Sequence, residues 1–108
     1  MNNLAERWRE FNALEQMGNI GSEVYRAFSW QKRGDEEHGQ QALAVTLELF
    51  DLTLADPRWS KIRGRLKEIG RARELVCDFF LGENQYNETG EKLMKYFDEF
   101  ALAARKDK

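Results

Sequence analysis

The sequence has one cysteine, one proline and one histidine among its 108 residues. A single cysteine, Cys77, excludes an intrachain disulfide, and Cys and His are too few for a zinc cluster. The lone proline favours long uninterrupted helices, because proline costs roughly 3 kcal/mol in a helix interior. A small domain without disulfides fits the reducing conditions of the cytosol.

Long apolar runs are also missing. No stretch approaches the roughly 18 apolar residues that span a bilayer, and the first ten residues lack the apolar run of a signal peptide. We therefore expect a cytoplasmic protein with no membrane partner. Gly18 and Gly21 do not form a phosphate-binding loop, because no strand pattern precedes them. No motif predicts a cofactor.

The residues that are present suit one folded domain. Hydrophobic residues make up 42% and charged residues 33% of the chain, a balance typical of a globular domain. A chain of this length forms a single hydrophobic core. Because apolar residues recur at helical spacing in every segment, the sequence predicts an all-α fold. We expect a four- to five-helix up-and-down bundle that occupies residues 1–108 as a single domain.

The first half of the chain contains two predicted helical segments. In the segment 3–33, Gly18 and Gly21 indicate either a chain break or the close approach of another backbone. The simpler interpretation is a short first helix joined to a longer second one. Asp35 is a good N-cap for the next segment, which runs to Ala55. That segment is apolar around most of its circumference, Val45 included, so it is predicted to be central.

The second half of the chain contains two more predicted helical segments. Pro57 is expected at the first helical position of a segment that runs to about Leu81 and stops at Gly82. A last helix follows, capped by Thr89 or Asn87, and its terminal basic residues suit a helix C-terminus. Those residues are Arg105, Lys106 and Lys108.

Arg73 is the most informative residue of the third segment. The apolar stripe of that segment comprises Ile62, Leu66, Ile69, Val76 and Phe80, and the same spacing places Arg73 on it. A buried unpaired charge is costly. Arg73 is therefore expected to extend to solvent, to pair with a carboxylate such as Glu23 or Asp51, or to lie at an interface.

Positive charge is concentrated in the same segment. Seven basic residues and one acidic residue lie between Arg58 and Arg73, whereas the rest of the chain has 10 basic and 18 acidic residues. The basic residues wrap around the helix, and a solvated surface is the default interpretation. The alternative is contact with a phosphate backbone or an acidic protein. Arg65 and Arg71 are the candidates for such an anion contact.

Other reactive residues have simpler explanations. Asp35 and His38 match half of a di-metal helix motif, but a second histidine and further carboxylates at matching spacing are missing. They are better explained as surface residues of a first helical turn. Cys77 lies beside Val76 and is better explained as a small packed hydrophobe than as a nucleophile.

The stretch Ile69–Gly82 resembles the signature helix of HEPN domains, small all-α domains named for higher eukaryotes and prokaryotes nucleotide-binding. Their motif is Arg, a polar residue, three variable residues and His, followed by aromatic residues and often Gly. Arg73 and Glu74 match the start, and the trailing pattern matches Phe79, Phe80 and Gly82. Asp78 stands where the histidine belongs. The resemblance therefore implies a site that lacks the imidazole of active HEPN ribonucleases.

The leading hypothesis follows from this resemblance. HEPN domains often act with a nucleotidyltransferase, some are toxins or antitoxins, and many dimerise through the motif helix. We therefore expect a non-enzymatic helical interaction module that forms a homodimer and binds a nucleotidyltransferase or RNA. Its site residues are Arg73, Glu74 and Asp78, with Arg65 and Arg71 for an anion. The exposed-aromatic candidates for this binding role are Trp30 and Trp59.

Two alternatives stay open. One is a metal-independent ribonuclease of a toxin–antitoxin type that uses Arg33 and His38, which also have the Arg-x4-His spacing, or Arg73 with another partner. Because Arg33 and His38 fall in a predicted break, we interpret that match as a coincidence. The other alternative is a structural partner subunit with no nucleic-acid role.

Overall fold

Six helices account for most of residues 4–106, the part of the chain that the computed structural model describes. They are α1 (Leu4–Trp8), α2 (Ala13–Lys32), α3 (Glu36–Leu54), α4 (Pro57–Ser60), α5 (Arg65–Leu81) and α6 (Gly90–Lys106). These residues contain no strand. The predicted start at Asn3 and the terminal Lys108 lie outside the described residues.

The helix starts follow from local sequence. Asn12 caps α2, and its side-chain oxygen accepts a hydrogen bond from the Glu15 backbone N–H at 2.9 Å. The predicted caps at Asp35 and Thr89 are confirmed, since each accepts from a backbone N–H three residues later. Pro57 occupies the first turn of α4 directly after its cap, Asp56.

The four long helices pack antiparallel around one core, which confirms the all-α bundle. Helix α2 contacts both α3 and α6, and α5 packs on α3. Fully buried apolar side chains fill the space between them, among them Met17, Ile20, Phe50, Ile69 and Val76. No helix among the described residues is long and apolar enough to cross a membrane.

The expected break near Gly18 and Gly21 is wrong, because α2 continues through both glycines. Their role is the other one that the sequence allowed, close approach of a neighbouring helix. A Cβ atom added to Gly21 would lie 2.7 Å from the Cβ of Phe97, and one added to Gly18 would lie 3.3 Å from the Cα of Ala101. Helix α6 therefore contacts α2 almost backbone to backbone.

The prediction of one helix from Pro57 to Leu81 is also wrong. A turn at 61–64 divides it, and Gly64 has a positive φ of 81°, a conformation that glycine adopts without steric cost. The turn takes Ile62 out of the predicted stripe and leaves it 43% exposed. Val45, predicted to face the core from α3, is similarly 41% exposed, and Thr46 and Thr53 are buried instead.

A buried polar network ties together the end of the bundle formed by α1, the start of α2, the end of α3 and α4. The Gln16 amide donates to the backbone carbonyl of Trp8 at 2.9 Å and accepts from the Trp59 indole N–H at 2.8 Å. The Trp8 indole N–H donates to the Thr53 hydroxyl at 2.8 Å. Each indole N–H is thus paired, as burial requires. The expectation that Trp59 is exposed is therefore wrong.

Asp56 completes this end of the molecule. Its buried carboxylate accepts from the Arg58 backbone N–H at 2.9 Å and from the guanidinium at 2.7 Å. The guanidinium also donates to the backbone carbonyl of Phe11 at 3.0 Å and lies over the Trp59 ring. The side-chain hydrogen bond from Arg58 is the main reason that the pKa of Asp56 lies below its ordinary value of 3.8.

Stability should therefore fall in acid. A depressed folded-state pKa stabilises the protein above about pH 4 and loses that contribution as the pH drops through the folded value. We expect the Asp56→Asn variant to be less stable by about 2 kcal/mol at pH 7, the size of a charged hydrogen bond. Its stability should also decline less than that of the wild type between about pH 5 and about pH 3. Urea unfolding at each pH measures this, and parallel profiles for variant and wild type would contradict it.

Candidate functional site

Helix α5 presents the residues that the sequence singled out. Its inner side, Ile69, Ala72, Leu75 and Val76, is buried in the core. The helix ends at Gly82, whose backbone N–H donates to the carbonyls of Cys77 and Asp78. The outward side chains of α5 therefore stand on a helix that packing and hydrogen bonds hold in place.

Arg73 lies at the edge of this buried face. Its Nε donates to Oδ1 of Asp51 at 3.2 Å, and its Nη1 lies 3.7 Å from the sulfur of the half-buried Cys77. The Arg73 side chain is 34% exposed. Arg73 therefore pairs with one of the two carboxylates expected from the sequence, across the α3–α5 boundary. A surface ion pair contributes roughly 0–1 kcal/mol, so stability alone does not require it.

Asp78 organises the loop after α5. Its two carboxylate oxygens accept from the backbone N–H groups of Gln85, at 2.9 Å, and Tyr86, at 3.1 Å. Asn84 supports the same loop by donating to the carbonyl of Glu88 at 2.8 Å. The residue at the motif's histidine position therefore serves as a loop anchor.

Glu74 and Arg71 lie near the tyrosine that Asp78 anchors. The charge of Glu74 is the main reason that the pKa of Tyr86 is raised, and Arg71 opposes the shift. Arg71 also opposes the rise in the pKa of Tyr96, which is caused mainly by burial. Tyr86 was missed in the sequence because it lies in a loop without periodicity.

Arg65 lies apart, at the first position of α5. Its guanidinium is 3.6 Å from the Glu68 carboxylate, and its buried Nε has no hydrogen-bond partner. The five predicted site residues therefore do not form one cluster. Successive residues turn by about 100° around a helix, so Arg73 faces α3 while Arg71, Glu74 and Asp78 lie toward Tyr86.

A row of residues that includes Arg73 follows the length of α5. Its members recur every three or four residues: Leu66, Gly70, Arg73, Cys77 and Leu81. Leu81 is 65% exposed and Leu66 is also exposed. A Cβ atom on Gly70 would meet nothing within 4 Å. We call this set the α5 row. Leu66, Gly70 and Leu81 are open to another molecule, whereas Arg73 and Cys77 are partly buried.

The second Arg-x4-His pair lies at the turn between α2 and α3. The His38 ring stacks on the Trp30 ring with centroids 4.6 Å apart, and the Arg33 guanidinium lies 5.1 Å from the same ring. His38 Nδ1 lies 2.8 Å from Oδ2 of Asp35. Mainly because the His38 backbone N–H donates to Asp35, the pKa of that carboxyl is lowered. The two motif residues thus share one aromatic ring on the surface.

No group of three or more His, Cys, Asp or Glu among residues 4–106 is arranged to hold a metal ion. Comparisons with protein-family models, with curated proteins and with solved structures find no match to this chain.

Proposed function

We propose that this protein is a non-enzymatic, HEPN-like interaction module that forms a homodimer through α5. The observation that carries the proposal is the exposed α5 row, with Leu66 and Leu81 at its ends and Arg73 at its centre. Exposed leucines at both ends of one helical row gain free energy when a second apolar surface covers them.

The row is complementary to itself when two copies run antiparallel. A two-fold axis between Arg73 and Glu74 sets Leu66 of one copy opposite Leu81 of the other. The same axis sets the open Gly70 opposite Cys77, and Arg73 opposite Glu74. A two-fold dimer uses one patch on both subunits. This register pairs the outer members of the row with one another and sets Arg73 against Glu74, the residue beside the row.

The charges of α5 also favour the antiparallel arrangement. Residues 65–72 contain three basic residues against one acidic residue, Glu68, whereas residues 74–81 contain Glu74 and Asp78 and no basic residue. Antiparallel pairing brings the basic half of each copy to the acidic half of the other. Parallel pairing would bring like charges together, which costs binding free energy.

The HEPN resemblance supports α5 as the dimer interface, because members of that superfamily often dimerise through the corresponding helix. Asp78, in the place of the motif histidine, binds two loop N–H groups, so the proposal assigns no catalysis to this site. The further partner is a nucleotidyltransferase or RNA. Arg65 is paired with Glu68, whereas Arg71 and Lys67 are exposed and form no ion pair with any described residue. Arg71 and Lys67 are therefore the groups we assign to it.

Charge reversal tests the dimer. We expect the wild type to sediment as a dimer at tens of micromolar, a range in which modest interfaces associate. Arg73→Glu and Glu74→Arg should each produce monomers, because each sets like charges opposite one another. The double variant R73E/E74R should dimerise again.

Asp51→Asn is the matched control. It removes the intrachain partner of Arg73 but leaves the proposed partner in the other copy, so it should remain dimeric. Thermal melts show that each variant is folded. A monomeric wild type, or a double variant that stays monomeric while folded, would reject dimerisation through α5.

We propose a metal-independent ribonuclease at Arg33 and His38 as the second candidate function. The favouring observation is that both side chains contact the Trp30 ring while Asp35 lies against the His38 imidazole. An arginine and an imidazole suit phosphate-ester cleavage. RNA cleavage in the presence of EDTA that His38→Ala abolishes would support this function. The absence of cleavage would reject it.

The remaining alternative is a partner subunit without a nucleic-acid role. It predicts no salt-sensitive RNA binding.

A further inference from the structure

A groove opens where α2 ends, α3 begins and α5 ends. It has a volume of about 470 Å³. Apolar side chains contribute much of its lining, and polar groups of α2 and α3 complete it. The lining residues that matter here are Ala27, Leu43, Phe80, Leu81, Glu36 and Gln40. Glu36 forms no ion pair with any described residue.

The turn at 61–64 carries the complementary features. Ile62 is 43% exposed, and its neighbours Lys61 and Arg63 are both exposed. The turn is ordered by its own backbone, because the Ile62 N–H donates to the Trp59 carbonyl and the Ile62 carbonyl accepts from Arg65, at 3.2 and 3.0 Å. An apolar tip between two cations therefore projects on a fixed backbone.

The groove and the turn match each other in polarity and charge. Leu43 and Phe80 offer an apolar lining to the isoleucine, and Glu36 and its exposed neighbour Glu37 offer carboxylates to Lys61 and Arg63. Opposite charges at a rim align two surfaces and suppress wrong registers. The occupant that fits this groove is present in the protein itself.

The α5 register brings the two features together. When Leu66 of one copy lies opposite Leu81 of the other, the partner's Ile62, four residues before Leu66, lies beyond the end of α5. The groove lies beside that end of α5, because Phe80 and Leu81 are among its lining residues. A stable interface buries roughly 800 Å² on each partner. A single row of five residues offers little of that area, and the docked turn adds to it.

We infer that each copy inserts Ile62 of its 61–64 turn into the groove of the other copy, with Arg63 facing Glu36. This inference rests on the proposed α5 dimer and extends it to a closed interface with two equivalent docked turns. The turn between α4 and α5 thus becomes part of the recognition surface.

Two exposed β-branched residues give a matched test. Ile62→Asp should weaken dimerisation at least tenfold, because it places a carboxylate in an apolar groove with an acidic rim. Val45→Asp should leave it unchanged, since Val45 is exposed to the same extent, 41% against 43%, and lies outside the groove. Sedimentation across a concentration series measures both constants.

A charge exchange keeps the test independent of folding defects. Arg63→Glu and Glu36→Arg should each weaken the dimer, and the combined variant should recover it. If Ile62→Asp and Arg63→Glu both dimerise like the wild type, groove docking is wrong while α5 pairing stands. If the wild type is a monomer, both groove docking and α5 pairing are wrong. Weakening by each single variant without recovery in the pair would also overturn the Arg63–Glu36 contact.

Discussion

The Gln16→Ala variant is expected to lose about 3 to 5 kcal/mol of unfolding free energy. Gln16 is fully buried and its amide bridges Trp8 and Trp59. Truncation leaves a buried indole N–H and a backbone carbonyl unpaired, at about 1–3 kcal/mol each, and it opens a cavity. A loss of this size approaches the total stability of a small domain.

Urea unfolding followed by far-UV circular dichroism measures this loss. Gln41→Ala is the control, because Gln41 is exposed on α3 and alanine is at least as good a helix former. Gln16→Leu separates the two causes, since it keeps most of the volume and removes both hydrogen bonds. A loss below about 1 kcal/mol in Gln16→Ala, less than one unpaired group costs, would show that the bridge is not needed.

The Gly21→Ala variant is expected to be destabilised by about 2 kcal/mol, against the intrinsic preference of a helix for alanine. Alanine gains about 1 kcal/mol over glycine inside a helix. The added methyl would lie 2.7 Å from the Cβ of Phe97, an atom fixed to the α6 backbone. Helix α6 must therefore move away. Overpacking costs about 1–3 kcal/mol, and we expect the upper end of that range because a Cβ atom cannot rotate away. After the gain of about 1 kcal/mol from alanine, a net loss of about 2 kcal/mol remains.

Gly39→Ala is the matched control for Gly21→Ala. Gly39 is also helical, but a Cβ there would lie 3.7 Å from the Cβ of Trp30, an ordinary contact. The unfolding free energy of the Gly39→Ala variant should increase, by at most about 1 kcal/mol. Thermal or urea unfolding of both variants compares the signs. Equal stabilisation by the two substitutions would show that α6 moves away from residue 21 without a loss of unfolding free energy.

Three of the helix starts were predictable because each depends on a few neighbouring residues. Asp35, Asp56 and Thr89 cap helices through atoms within three residues of themselves. The turn at Gly64 was not predictable, because apolar residues on both sides continue the helical spacing. A glycine inside such a pattern is compatible with an unbroken helix. Only packing against the rest of the bundle decides between a turn and an unbroken helix.

The candidate site was predictable in part. The spacing of α5 identified Arg73 as a residue that needs a partner, and two carboxylates were named for it. Choosing Asp51, 22 positions away, requires knowing which helices are neighbours. Burial of Gln16 could not be anticipated, because glutamine is usually exposed and its two tryptophan partners are eight and 43 positions distant.

The three tryptophans give the protein separate optical reporters at its two ends. Trp8 and Trp59 are buried in the network around Gln16, whereas Trp30 stacks on His38 near the end of α2. Fourteen residues of helix separate Gln16 from Trp30, or about 21 Å at 1.5 Å per residue. Trp30 emission therefore responds to the α2–α3 turn and its groove. Red-shifted emission from the other two marks opening of the opposite end, so single-tryptophan variants distinguish local opening from global unfolding.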